Sequence, residues 1–421
     1  MELDRLIKNA CEDWSAKAQM PVGLADLALR GRSRRRAVKA ALAAALAAFL
    51  TGAAVVVGST VATPIAERQP TQPPTPQLAF QPVALSADTA VRTDLGSTFP
   101  RRLVAAGHVA VAAYHTDRLR ASAGGAKTVE STWYLYNPTS GTYEETPWAN
   151  LDVAPGMHQA AVLEGPLPTS RVGLLDMKTQ KVTRWISVEH PVGGVSWSPN
   201  GRRLIMTAYA RNPYTIPAPG PCLLSGSVDA ASRAGHGDIK PCGPDHASSR
   251  LGYYIVDESG DTTFHALPPD PANGNLPQDL GWSRDGTLIW APTATAPTKV
   301  FYTPDGEQRP APAHEADDAE PAGLSPNGTL LPKFGPRPGP AVTVRNVTTG
   351  KVVAVLPIEG AEAWADDHQL FAVGCDPKRC KGTGEFHNRL LLVNLKGEIK
   401  PLTGYHRSDR EGSWVPLFTH R

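Results

Sequence analysis

Four cysteines in the second half of the chain are the residues whose type and spacing could do chemistry. They form two pairs along the sequence, Cys222 with Cys242 and Cys375 with Cys380, and the fifth cysteine, Cys11, stands alone near the N-terminus. An even number of cysteines in one region predicts disulfides if that region lies in an oxidising compartment. Closing the first loop, of about 20 residues, would contribute roughly 3 kcal/mol.

Zinc binding is the alternative use of the first cysteine pair. Cys222, His236, Cys242 and His246 are of the types that ligate zinc. Their spacing contains no tight ligand pair, and oxidation competes with metal binding outside the cytoplasm. The sequence therefore favours two disulfides over a zinc site.

Motifs of enzymes and cofactor-binding proteins do not occur in this sequence. The twelve histidines are scattered, and there is no His-Glu-x-x-His, Walker, Gly-x-Gly-x-x-Gly or Gly-x-Ser-x-Gly pattern. Adjacent acidic pairs at residues 317–318 and 366–367 carry the ligand type for a cation, but turns favour Asp and consecutive strand residues face opposite ways. We therefore expect no catalytic residue, no cofactor and no metal.

A short phrase that recurs along the chain organises the rest of the sequence. It reads Trp-Ser-Pro-Asn-Gly at 197–201, Trp-Ser-Arg-Asp-Gly at 282–286, Leu-Ser-Pro-Asn-Gly at 324–328 and Trp-Ala-Asp-Asp-His at 364–368. An apolar residue ends a buried stretch, and a tight turn follows in which Gly supplies positive φ. Because the tryptophans hold the same repeat position, we expect them to pack between repeats rather than to form a ligand platform.

The spacing of the phrases predicts the blades of a β-propeller. Positions 282, 324 and 364 are 42 and 40 residues apart, which fits a period of about 40–45 residues for four short strands. Each unit also holds a second turn between two strand-like runs, as hairpins do. These second turns number six, at residues 137–141, 176–179, 257–260, 303–306, 346–350 and 394–397. We expect an all-β propeller of six blades, with seven as the alternative if residues 211–250 hide a further blade.

The phrases resemble the repeats of TolB-type bacterial β-propellers, a WD40-like family also called PD40. The match is good at residues 196–204 and 281–289, moderate at 323–331 and weak at 363–371, and the resemblance covers roughly residues 95–405. It implies a propeller and almost nothing about function. The family includes periplasmic scaffolds and the propellers of serine peptidases, but this sequence lacks the nucleophile motif of those peptidases.

Two connections are longer than a blade requires, and we expect the binding face there. They cover residues 210–250 and 374–388, and both follow the second strand of their unit, so they should emerge on one face of the disk. Each contains a cysteine pair, which would lower the cost of ordering the loop on binding. Aromatic and Arg residues favour interfaces, and the candidates are Tyr209, Arg211, Tyr214, Arg379 and Phe386.

An uncharged apolar run predicts a membrane anchor. Residues 40–63 contain no Asp, Glu, Lys or Arg, and five arginines lie between residues 30 and 36. The run is long enough to span about 30 Å as a helix, and the basic flank places the N-terminus in the cytoplasm. A cleaved signal peptide is the alternative, because residues 33–39 resemble a twin-arginine signal. The length of the run favours the anchor.

The charge distribution follows the same division. Residues 1–39 carry a net charge of +4 and residues 64–421 a net charge of −2. Residues 64–421 therefore lack the excess of basic residues that is expected of a nucleic-acid-binding domain. We divide the chain into a cytoplasmic tail (1–39), a transmembrane helix (40–63), a Pro-rich linker (64–94) and an extracytoplasmic propeller (95–421). The linker composition is typical of an extended spacer.

The tail contains one amphipathic helical pattern. Its apolar face has the i, i+3, i+4, i+7, i+11 spacing of a helix and consists of Leu3, Leu6, Ile7, Ala10 and Trp14. A helix on the membrane surface and a docking site for a cytoplasmic protein are both consistent with this pattern. The layout resembles that of an anti-sigma factor, although the zinc-type motif of such proteins is absent.

The function expected from these features is binding or sensing. A single-span protein would hold a propeller outside the cell membrane, where it recognises an unknown protein or ligand. The tail would signal this binding to the cytoplasm. A passive scaffold of the cell envelope is the alternative, and an enzyme with its site in the propeller channel is less favoured because no carboxylate-rich or His-rich set repeats at channel-facing positions.

Overall fold

The computed structural model describes most of the chain beyond residue 85. The described residues are 86–122, 125–216, 249–257, 260–270, 273, 277–293, 297–316, 320–334, 341–375, 388–404 and 414–421, with the backbone of 222–223 and 240–241. Within these ranges the secondary structure is strand and turn, without an α-helix. No helix in them is long and apolar enough to cross a membrane. The predicted span at 40–63 and the tail lie outside the described residues.

The strands are numbered in chain order. The first nine are β1 (Ala105–Ala106), β2 (Val109–Ala121), β3 (Lys127–Asn137), β4 (Thr142–Glu145), β5 (Trp148–Val153), β6 (Gln159–Glu164), β7 (Thr169–Asp176), β8 (Lys181–Trp197) and β9 (Leu204–Tyr209). The next nine are β10 (Thr215–Ile216), β11 (Cys222–Leu223), β12 (Lys240–Pro241), β13 (Arg250–Val256), β14 (Thr262–Ala266), β15 (Gly281–Trp282), β16 (Ile289–Pro292), β17 (Lys299–Tyr302) and β18 (Gln308–Arg309). The last eight are β19 (Leu330–Phe334), β20 (Val342–Asn346), β21 (Val352–Leu356), β22 (Gly360–Asp366), β23 (Gln369–Cys375), β24 (Asn388–Asn394), β25 (Ile399–Pro401) and β26 (Trp414–His420).

The sheets have the antiparallel order of propeller blades. The strands β15 to β18 form a four-stranded meander, β22 to β25 form another, and β19 to β21 form a three-stranded sheet. A seven-stranded sheet runs β14-β13-β9-β8-β7-β6-β5. A six-stranded sheet contains β1, β2, β3, β4, β10 and β26, and β11 pairs with β12.

The last strand closes the ring onto the first sheet. On β26, His420 pairs with Val109 and Trp414 pairs with Thr116, both on β2. The apolar cluster there unites the two ends of the ring, because Phe371 of β23 and Val111 of β2 belong to the same core. The fold is therefore an all-β propeller, as the repeats predict. Two sheets exceed four strands, so the sheet count does not confirm the predicted number of six or seven blades.

The recurring phrases form the turns that the sequence predicts. Gly201, Gly286 and Gly328 have φ values of 66°, 70° and 74°, a region that glycine adopts without steric cost. In these three phrases the serine orders the turn, as when Ser198 Oγ donates to Asn200 Oδ1 at 2.8 Å and accepts from Arg203 N at 2.9 Å. The side chain and the positive φ together reverse the chain within four residues.

The repeat tryptophans connect neighbouring units. Trp197, Trp282 and Trp364 are buried. Trp282 Nε1 donates to Ser196 O, and Trp364 Nε1 donates to Gly323 O, each at 3.0 Å in the preceding unit. Burying an indole while satisfying its N–H stabilises the contact between successive blades, so these residues pack the fold as the repeat position predicts.

Candidate functional site

The two long connections begin at the same end of their sheets. Residues 210–249 follow β9, and residues 376–387 follow β23. Each of these strands is antiparallel to the repeat strand before it, β8 and β22 respectively. Because β9 and β23 run in the same sense relative to the repeat turns, both connections leave from the end opposite those turns.

The first connection crosses from the sheet of β9 to the sheet of β3. Residues 212–216, which we call the strap, carry the crossing. In β10, Thr215 pairs with Thr128 and Ile216 with Lys127 of β3, and Tyr214 O accepts a hydrogen bond from Val129 N at 3.0 Å. The strap therefore joins units that are separated by the whole run β5 to β8.

A hydrogen-bond network holds the strap against the units that it crosses. Asn150 Nδ2, on β5, donates to Tyr214 Oη at 2.6 Å and to Gly193 O at 3.3 Å. Tyr209 Oη donates to Asp279 Oδ1 at 2.7 Å, and Tyr214 also hydrogen-bonds to Asp279. Hydrogen bonds to a desolvated carboxyl are among the stronger ones in proteins, so the network fixes the strap in place.

Desolvation dominates the electrostatics of this network. It raises the pKa of the Asp279 carboxyl to about 6, against the lowering effect of the Tyr209 hydrogen bond and the Arg250 charge. The pKa of the Tyr209 and Tyr214 hydroxyls is also raised, first by burial and then by the nearby Asp279. Both phenols therefore keep their protons, and can donate hydrogen bonds, above the pH at which an exposed tyrosine ionises.

Two consecutive glycines make room for the network. Any Cβ on Gly194 would overlap the carboxyl group of Asp279, and one on Gly193 would lie 2.8 Å from both Pro213 Cγ and Tyr209 Cδ2. Glycine inside a strand marks a site of close approach, and here β8 must approach both the strap and the segment before β15.

The guanidinium of Arg250 anchors the connection that carries Asp279. It is buried and donates to Leu267 O at 3.2 Å, Pro268 O at 2.8 Å and Gln278 O at 3.0 Å. Burial lowers the pKa of this group, and three carbonyl acceptors satisfy it. These bonds hold Gln278, the residue before Asp279, next to the residues that follow β14.

The predicted binding-face residues occupy different environments. Tyr209 is fully buried, so it acts through the network rather than as a surface contact, and Tyr214 is half-buried within the strap. Arg211 is exposed. Arg379 and Phe386 lie outside the described residues, as do the tail residues Leu3, Leu6, Ile7, Ala10 and Trp14. Binding by any of them stays a prediction.

The predicted cysteine pairs are only partly within the described chain. Cys375 ends β23, and the backbone of Cys222 lies in β11. Cys242 and Cys380 lie outside the described residues, as do His236 and His246 of the alternative zinc site. Both disulfide pairings therefore remain predictions. Within the described ranges, no group of three or more His, Cys, Asp or Glu residues could hold a metal ion.

A serine, a histidine and a carboxylate meet on β2 and β3 but not in catalytic order. Ser131 Oγ donates to Asp117 Oδ1 at 2.7 Å, and His115 Nδ1 lies 2.8 Å from the same oxygen. Activation of a serine requires the histidine next to the hydroxyl, whereas here the carboxylate lies between them. Burial alone would raise the pKa of Asp117, but the hydrogen bonds from His115 and Ser131 lower it overall.

Sequence reasoning did not identify Asn150, Asp279 or Arg250 as parts of this site. The one signal that could have pointed to it is the Gly193–Gly194 pair within a strand-like run, because such a pair indicates that another segment approaches closely. The partners of that pair lie in other repeats, and the sequence does not reveal them.

Comparisons with known proteins yield similarity only at the level of distant structures. No family model matches the sequence, and no curated protein matches it. Solved structures that align with it include TolB from Acinetobacter baumannii, with 12% identity, a TM-score of 0.36, and 74% of this chain and 67% of that chain covered. A chain of the mitotic checkpoint complex aligns with 13% identity, a TM-score of 0.34 and coverage of 83% and 87%.

A third aligned structure is hydrazine synthase from Kuenenia stuttgartiensis. Its chain has 12% identity and a TM-score of 0.32, with 63% of this chain and 69% of that chain covered. Scores at this level carry no inference about function. The assignment as a propeller rests on the strand order and on the closure by β26.

Proposed function

We propose that this protein is a binding or sensing protein, not an enzyme, and that its propeller recognises a protein or ligand on the face that carries the strap. The observation that carries the proposal is the strap itself. A segment that crosses two unit boundaries is held by Asn150, Tyr209 and Asp279, although blade packing requires no such segment. A rigid loop loses little entropy on binding.

The proposed membrane layout rests on the sequence alone. In it, residues 1–39 lie in the cytoplasm, residues 40–63 span the membrane, and the propeller is extracytoplasmic beyond the linker at 64–94. The helix face of Leu3, Leu6, Ile7, Ala10 and Trp14 would then contact a cytoplasmic protein and report occupancy of the propeller. No cofactor, metal or nucleic acid is part of this proposal.

We further propose six blades. Two pairings of β8 support this number: Lys181 to Ser187 pair with β7, whereas Gly194 to Trp197 pair with β9. A strand that serves two sheets in turn divides the seven-stranded sheet into two four-stranded units. With the closing unit of β26, β2, β3 and β4 and the three later sheets, the total is six.

Replacement of the strap tests the binding role. Full-length chain with residues 212–216 changed to Gly-Ser repeats is compared with wild type and with a control in which the turn at 346–350, at the opposite end of its sheet, is changed in the same way. We expect the strap variant to lose the proteins captured by wild type in native membranes, and the turn variant to retain them. Equal capture by all three chains would contradict the proposal.

A further inference from the structure

The edge of β3 contains a gap between two strand partners. One side of β3 pairs with β2 from Lys127 to Leu135. On the other side, β10 pairs with Lys127 and Thr128, and β4 pairs from Tyr134 onward. Residues 129–133 therefore lie at an edge that is bounded at both ends by strand pairs. We call this stretch the slot.

The hydrogen bonds that bound the slot establish which backbone groups face outward. At one end Val129 N donates to Tyr214 O at 3.0 Å, and at the other Trp133 O accepts from Thr146 N at 2.9 Å. Alternate residues of a strand direct their N–H and C=O to the same side. Ser131, midway between them, consequently presents both its N–H and its C=O outward, and no described residue bonds to these two groups on that side.

A groove of about 340 Å³ lies along this edge. Trp148, Pro166 and Leu167 of the neighbouring unit contribute apolar surface to it, Glu130 and Glu145 contribute carboxyl groups, and none of the described residues that line it is a Lys or Arg. Glu130 also forms an exposed ion pair with Arg120, which lies outside the groove lining, at 3.0 Å. Tyr214 of the strap lines it as well. The groove therefore combines free backbone groups, an apolar wall and negative charge.

The dimensions of the slot suit a short extended peptide. Val129 and Trp133 are four residue steps apart, which at about 3.3 Å per step spans roughly 13 Å. An extended segment of about three residues can pair with this length. Addition of a strand to a free edge obtains affinity from main-chain hydrogen bonds and specificity from the flanking surface.

We infer that the slot binds a short extended segment of a partner protein by strand addition to β3, with a Lys or Arg of that segment next to Glu130 and Glu145. This inference rests on the proposed function, because it assigns a place and a mode to partner binding. The inference can also fail while the proposed function holds, since a partner bound elsewhere on the strap face would leave the slot empty.

Selection of peptides on the full-length chain tests the inference. A phage library of random heptapeptides is selected on wild type, and the affinity of the enriched peptides is measured for Ser131→Pro and Ser131→Ala. Proline removes the outward N–H but no bond to β2, and is tolerated at such edges. Alanine keeps the N–H and loses only the hydroxyl bond to Asp117, so it is the matched control.

We expect basic peptides to be enriched, and Ser131→Pro to weaken their binding by about tenfold or more while Ser131→Ala binds normally, as loss of a main-chain hydrogen bond implies. The double substitution Glu130→Lys with Glu145→Lys leaves the backbone intact and should also weaken the binding of these peptides. Hydrogen exchange at the Ser131 amide should slow when peptide is added.

Three results would overturn the inference: no enriched peptide, equal affinity for wild type and Ser131→Pro, or a Ser131 amide that is already protected in the free protein because another segment of the chain fills the slot. If strap replacement abolishes partner capture while Ser131→Pro leaves it intact, the proposed function stands and the slot inference fails.

Discussion

Gly194 lies so close to the carboxyl group of Asp279 that no side chain fits between them. The contact joins the C-terminal part of β8 to the segment before β15, and the same carboxyl group hydrogen-bonds to Tyr214 of the strap. It is the tightest place in the network that positions residues 212–216.

Substitution Gly194→Ala tests this contact. The added Cβ would overlap the Asp279 carboxyl, so we expect a loss of about 1–3 kcal/mol in the free energy of unfolding, as for other overpacked sites. Urea denaturation measures the loss. Gly96→Ala is the control, because a Cβ there meets nothing within 4 Å. Equal stability of the two variants would show that the network does not require this approach.

The pKa of Asp279 predicts a pH dependence of stability. Because the folded pKa of about 6 exceeds the usual 3.8, the folded state holds this proton more tightly than the unfolded state. The contribution is complete below about pH 4 and is lost as the pH rises through 6. Asp279→Asn should therefore flatten the fall in stability between pH 4 and 7. Part of the fall will remain, because desolvation raises the pKa of Asp152 to about 7.

Asp176→Asn is the opposite-sign control for this experiment. Hydrogen bonds from Thr179 lower the pKa of the Asp176 carboxyl, so its contribution is lost as the pH falls rather than as it rises. A pH profile that Asp279→Asn leaves unchanged would mean that the carboxyl is not desolvated in solution.

Removal of the Tyr214 hydroxyl should loosen the strap. In Tyr214→Phe, Asn150 Nδ2 and the Asp279 carboxyl each lose a partner, and an unsatisfied buried polar group costs about 1–3 kcal/mol. Exchange of the Val129 amide, which donates to Tyr214 O, should accelerate. Tyr136→Phe serves for comparison, because its hydroxyl makes no hydrogen bond to the described residues. If the Val129 amide exchanged at the same rate in both variants, the hydrogen-bond network would not be what holds the strap in place.

The orientation in the membrane is a prediction from the sequence. A reporter that works only outside the cytoplasm should be active when fused after Pro82 and inactive when fused at Ala28. The reverse result would refute the orientation. A mature N-terminus near Thr63 would instead favour the cleaved signal peptide over the anchor.

The disulfides are tested by mapping peptides without reduction. Mass spectrometry should link Cys222 to Cys242 and Cys375 to Cys380 in the full-length chain, and leave Cys11 free. Free thiols together with stoichiometric zinc would support the alternative site with His236 and His246.

The repeating features of the fold are predictable from the sequence alone. The Ser-Pro-Asn-Gly turns, the strands around them and the burial of Trp197, Trp282 and Trp364 depend on residues close together in the chain, so their pattern predicts them. The same local information places the second turns: Gly141 and Gly350 close hairpins with φ values of 71° and 66°.

The candidate site depended on the tertiary structure. Asn150 meets Tyr214, Gly194 meets Asp279, and β10 reaches β3 because ring formation brings different units to one face. Each contact joins residues of different units, and the strap crosses unit boundaries that periodicity does not mark. Local sequence determines turns and strands because their hydrogen bonds are made within a few residues, whereas the network and the slot exist only once the packed blades have brought distant segments together.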